Sequence, residues 1–137
     1  MIADASVVVK WFTVEALSRD ARELLSATES LLAPDLLAIE LANVMWGKVR
    51  SSEIGESAAA RAIAAVIAGD VIQLRSSVPL MPRAFELARA LDHPVYDCVY
   101  LALAEDLDQA LVTADQRFVI AAGGDHPRVR MLGSDRV

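Results

Sequence analysis

The chain has 137 residues, 55% of them hydrophobic, with a mean hydropathy of +0.38 and a formal net charge of −6 at pH 7. That is enough apolar material for one core and leaves no case for disorder, while no apolar run approaches the roughly 20 residues of a membrane span. The pI near 4.8 argues against nucleic-acid binding through bulk charge, although divalent cations held in an acidic pocket reverse the local field that a phosphate meets.

The start MIADAS lacks a basic segment followed by an apolar one, so no secretory signal is expected. The single cysteine, Cys98, cannot form an internal disulfide, which fits a reducing cytoplasm. Aromatic residues make up 5%. Ala, Leu and Val carry the packing, which suits helices laid on a parallel sheet.

In chain order, residues 1–3 read as a first strand with Asp4 at its C-terminal edge. Ser6 is placed to cap a helix over 7–12, and Ser18 to cap another over 19–26. Residues 30–33 are strand-like and stop at Pro34, which suits the first turn of an apolar, well-buried helix over 35–50. An alanine-rich helix over 56–68 ends at Gly69. Residues 71–74 form a strand or extended connector, and a helix follows from the prolines at 79 and 82 to about Leu91. Past His93-Pro94 come a helix over 96–107, a strand over 110–113, a short helix over 114–122 ended by two glycines, and a last strand over 128–132. The alternation of strands and helices predicts a single α/β domain spanning 1–137, a three-layer α/β/α sandwich on a mainly parallel sheet.

Four acids stand out on this frame. Asp4 and Asp115 each follow a strand, so both fall at the C-terminal edge of the sheet, where parallel α/β folds bind ligands. Asp97 opens a helix that enters the same region. Glu40 sits within LLAIELANVMW, where an acid is costly unless paired or bound to a metal, with Asn43 one turn along. Carboxylates gathered without a Cys/His cluster favour a hard cation such as Mg²⁺ or Mn²⁺ over zinc. Each acid also has an ordinary reading. Asp4, Asp97 and Asp115 suit helix starts, and Glu40 suits a pair with Lys48 or a distant arginine. Ser6, Thr113 and His93 suit caps and turns. The conjunction is what points to chemistry.

Asp4-Ala-Ser6 after an apolar start, Glu40-Leu-Ala-Asn43, Tyr96-Asp97 and Leu111-Val-Thr113-Ala-Asp115-Gln-Arg-Phe118 together resemble the PIN-domain ribonucleases, most of all the VapC-type toxins of prokaryotic toxin–antitoxin pairs. The resemblance spans essentially the whole chain. It implies an acidic quartet at Asp4, Glu40, Asp97 and Asp115, with Ser6, Thr113 and Asn43 in support. It also implies a Mg²⁺- or Mn²⁺-dependent endoribonuclease acting on tRNA, rRNA or mRNA in the cytoplasm, a homodimer, and a cognate antitoxin whose basic tail blocks the site. Lys10, Lys48, Arg50 and Arg117 are candidates for RNA backbone contact. A phosphatase of the haloacid-dehalogenase kind needs a second Asp two residues after the first, where Ser6 stands. A receiver domain needs adjacent acids at the first strand's end, and none flank Asp4. A non-catalytic interaction module leaves the intact acids without a purpose.

Overall fold

The structure, a computed structural model, describes residues 1–28 and 30–134. The remainder of the expected 1–137 domain, residues 29 and 135–137, lies outside the described residues. The strands are β1 (Ile2–Ala3), β2 (Leu32–Pro34), β3 (Gln73–Arg75), β4 (Leu111–Thr113) and β5 (Val129–Met131). The helices are α1 (Ala5–Val8), α2 (Ser18–Ala27), α3 (Leu36–Arg50), α4 (Glu56–Ile67), α5 (Met81–Leu91), α6 (Val95–Asp106) and α7 (Gln116–Ala122).

All strand pairs are parallel, in the order β3-β2-β1-β4-β5. The chain winds outward through β1, β2 and β3, then returns to the other side of β1 for β4 and β5. Right-handed crossovers then put α1 to α4 on one face of the sheet and α5 to α7 on the other. That is the expected α/β/α sandwich, with a sheet parallel throughout. The central strand β1 is wholly buried, paired with β2 through Ile2 and Leu32 and with β4 through Ile2 and Leu111.

The helices differ in how they meet the core. Every residue of α6 from Cys98 to Ala104 is buried, because this helix lies against β1, β2 and β4 and is covered by α5. The expectation that α3 is well buried holds for one side only. Leu37, Leu41 and Met45 recur every fourth residue and face the core, while Ile39 and Trp46 are 71% and 59% exposed.

Several local expectations are corrected. Ser6 does not cap the first helix: Asp4 does, accepting from the Val7 amide, and that helix is α1 followed by a 3₁₀ turn over Val9–Trp11. Ser18 is the first residue of α2, with its hydroxyl bonded to Glu15 N–H and Thr13 O across the preceding turn. Pro34 ends β2 instead of opening α3. Leu32 donates to Met1 O, so Pro34, two residues on, turns its ring nitrogen to the same side, past the Ile2–Leu32 pair that joins the two strands. The start of α3 is then capped from a distance. Ser77 Oγ accepts from Leu36 N–H at 3.0 Å and donates to Asp35 at 2.5 Å.

Candidate metal centre

Asp4 and Asp115 follow β1 and β4, the two adjacent strands at which the strand order reverses. A crevice opens at that point in parallel α/β sheets, because the connections leave the two strand ends in opposite directions. Asp4 is only 3% exposed. Its Oδ1 accepts from Ser6 Oγ at 2.5 Å and from the Val7 amide at 3.3 Å. Burial pushes the Asp4 carboxyl up to about 7; the Ser6 and Thr113 hydroxyls pull it down, and the Asp97 charge adds to the rise.

The hydroxyls beside Asp4 also bind the two strand ends to each other. Ser6 Oγ has one proton, which goes to Asp4, so towards Ala114 N–H (2.8 Å) it is an acceptor. It lies 3.3 Å from Thr113 Oγ1, which in turn accepts from Asp115 N–H at 3.0 Å. Thr113 is fully buried at the end of β4. These two side chains, expected beside the acids, thus hydrogen-bond across the ends of β1 and β4.

Glu40 reaches the same region from α3. Tyr100, from α6 and 1% exposed, donates its phenol to Glu40 Oε1 at 2.6 Å. Burial raises the Glu40 carboxyl, the Tyr100 hydrogen bond opposes the rise, and the Asp97 charge adds to it. Burial and the neighbouring Glu40 charge hold the Tyr100 phenol far above its ordinary value, so it stays protonated as a fixed donor. The alternative pairing of Glu40 with Lys48 does not occur. Lys48 binds Glu15 at 3.0 Å and Glu53 at 3.7 Å, and Lys10 binds Glu15 at 3.0 Å.

Asp97 is the third residue of α6, behind an N-cap that is Pro94. An acid at that position ordinarily reaches back to the N-cap amide, but proline has no N–H to offer. Its partner is instead His93, with Nε2 2.6 Å from Asp97 Oδ2. The Asp97 charge is felt at Asp4, Glu40 and Tyr100, so acids from β1, α3 and α6 stand in one electrostatic neighbourhood.

Asp115 sits at the adjoining strand end with its carboxylate turned to its own helix. It caps α7 through Arg117 N–H at 3.0 Å, with Arg117 Nε at 3.8 Å. Asn43 is exposed on α3, and Arg117 is 91% exposed beside Asp115. Arg50 lies over the Trp46 ring, 4.8 Å from its centre. Sequence reasoning passed over His93 and Tyr100 as site residues. The usable signals were helical spacings, His93 four residues before Asp97 and Tyr100 three after it.

Among the described residues, no three His, Cys, Asp or Glu side chains close into a ready-made ion cage. The groups that share this electrostatic neighbourhood are carboxylates, without a thiolate, a donor chemistry that favours a hard cation. An open arrangement of this kind fits a hard divalent ion that keeps several waters and takes few direct carboxylate ligands.

A family model described as PIN domain matches residues 1–124. Over 118 residues the chain is 29% identical to Ribonuclease VapC3 of Pyrobaculum aerophilum, covering 85% of this chain and 90% of that one. Over 93 residues it is 37% identical to Ribonuclease VapC1 of Mycobacterium tuberculosis, covering 66% of this chain and 67% of the relative. Among solved structures, a toxin–antitoxin complex from Klebsiella pneumoniae superposes with a TM-score of 0.67 at 17% identity, covering 94% of both chains.

Proposed function

The chain belongs to the PIN domain family, and from that premise we propose that it is an endoribonuclease of the VapC toxin type, working with Mg²⁺ or Mn²⁺. The observation that supports the reading is that the Asp97 charge is felt at both Asp4 and Glu40, with each of the three acids hydrogen-bonded to its own neighbour.

In this reading Asp4, Glu40 and Asp97 would hold the ion directly or through water, and Asp115, which caps α7, would complete the site or a second cation position. A bound divalent ion lowers the pKa of a water and offsets charge at the scissile phosphate. Ser6 and Thr113 offset part of the rise that burial imposes on the Asp4 carboxyl. Glu40, half-buried with raised proton affinity, is the group suited to take the proton of the attacking water. Arg117 at the rim meets the RNA backbone.

The same reading makes the chain a single PIN-like domain acting in the cytoplasm; among the described residues no helix is long and apolar enough to cross a membrane. Its partners are an RNA substrate, a cognate antitoxin and a second copy of itself. Support for protein partners comes from the apolar side chains left outside on α3 and α4, where Ile39, Trp46 and Ile67 are each more than half exposed. The direct test is RNA cleavage by the purified chain with Mg²⁺ or Mn²⁺, with EDTA, and with Asp97→Asn. Cleavage that needs the ion and disappears in the variant is expected. Wild-type cleavage by a folded Asp97→Asn protein refutes the assignment.

A further inference from the structure

We propose that His93 is a positioning residue of the acid centre: its Nε2–H holds Asp97 Oδ2 and so fixes which oxygen of that carboxylate is presented to a cation. The inference rests on the metal-site reading above and adds a residue to it.

Three features of the structure hold the imidazole in place. The His93 backbone N–H bonds Ala88 O at 3.1 Å, closing the end of α5 behind Asp92, whose φ of 49° turns the chain sharply. Pro94 then fixes the direction in which α6 begins. The ring lies 5.0 Å from the fully buried Phe118 of α7, tilted by 31°. His93 therefore links three elements, the end of α5, the start of α6 and the helix that follows Asp115.

The imidazole also takes the place of a missing backbone donor. With Pro94 at the N-cap, Asp97 has no amide to reach back to, and His93 is its hydrogen-bonding partner in the structure. An ionised carboxylate only accepts, so Nε2 carries the hydrogen and the neutral ring is the Nε2–H tautomer. That bond occupies one oxygen, Oδ2. It stops the carboxylate from rotating freely, and the remaining lone pairs are presented in one orientation. A donor behind a ligating carboxylate is the outer-shell arrangement whose loss typically weakens metal affinity about 10–100-fold. A histidine that served only the turn would need its backbone bond and Pro94, and its ring would have no reason to face Asp97.

Two substitutions separate the ring's packing from its hydrogen bond. His93→Phe keeps an aromatic ring against Phe118 and removes the donor. His93→Gln keeps an N–H at similar reach and removes the ring. Mn²⁺ affinity is measured by calorimetry on the intact protein without RNA, with unfolding curves in EDTA to compare the folds. We expect His93→Phe to bind Mn²⁺ about 10–100-fold more weakly, with cleavage largely restored at saturating Mn²⁺, and His93→Gln to stay within a few-fold of wild type. Nitrogen-15 NMR of the wild-type imidazole, which needs no variant to fold, should show Nε2 protonated. The proposal is overturned by wild-type affinity in His93→Phe, by a Gln variant as weak as the Phe variant, or by an imidazole protonated on Nδ1 alone. Asp97→Asn separates the two levels. If it leaves Mn²⁺ binding unchanged, the metal site itself is misassigned; if it abolishes binding while His93→Phe does not, only the role of His93 fails.

Discussion

Replacing Asp4 with asparagine in the metal-free protein tests whether the acid centre is held at the expense of the fold. The side chain is 3% exposed, and its carboxyl is pushed from 3.8 to about 7. A folded-state value above the unfolded one means that the folded chain binds the proton more tightly. The contribution of Asp4 therefore favours the fold fully at acid pH and is lost as pH rises from about 4 through 7. At roughly 1.36 kcal/mol per pH unit, ionising Asp4 costs the folded protein up to about 4 kcal/mol at neutral pH. Asparagine has nearly the shape of the protonated acid. Its Oδ1 can keep both the Ser6 and Val7 bonds, so the cap of α1 survives. Urea unfolding in EDTA at pH 7.5 should then find Asp4→Asn more stable than wild type by about 2–4 kcal/mol, with the difference closing near pH 4. Adding Mn²⁺ at about 100 times its dissociation constant should stabilise wild type by about 2.7 kcal/mol and the variant far less. A variant less stable than wild type at pH 7.5, or a difference that does not change with pH, refutes the burial argument.

The same geometry predicts three further results. Ser6→Ala removes the acceptor of Ala114 N–H and the donor to Asp4, so it should lower stability by about 1–3 kcal/mol in urea titrations and raise the proton affinity of Asp4 further. Tyr100→Phe keeps the buried ring but frees Glu40; a stability loss of about 1 kcal/mol and a clear fall in kcat for RNA cleavage are expected, and unchanged kcat would remove Tyr100 from the site. Apparent Mn²⁺ affinity, followed by calorimetry, should rise steeply with pH below about 7, where the ion competes with the Asp4 proton, and level off above it.

Asp4, Asp97 and Asp115 were legible in the sequence because strand ends and helix starts can be placed from short-range patterns. Their side-chain directions could not be read that way. The capping geometry that turns Asp115 towards Arg117 N–H is a matter of local dihedrals. Glu40 drew attention on a premise that holds only in part. Its helix buries only the Leu37, Leu41 and Met45 side, and the acid leans on Tyr100 from α6, sixty positions away. A contact at that separation leaves no mark on the residues near Glu40. His93 was masked by Pro94. The dipeptide says "turn" strongly, and what makes the ring useful is a tertiary stack on Phe118. Pro34 misled for a related reason, since whether a proline closes a strand or opens a helix depends on the strands paired beside it.

The placement of β1 also bears on the order in which the acid centre can form. The first described strand in chain order is the middle of the sheet, and Ile2 waits for Leu32 on one side and for Leu111 on the other. Asp4 follows that strand directly, yet the hydroxyl that braces its partner strand, Thr113, lies more than a hundred positions further along. A nascent chain that has not yet delivered α6 and β4 cannot assemble the acid centre, however well its early helices form. The acid centre therefore assembles late and nearly all at once, when the β1–β4 pairing closes.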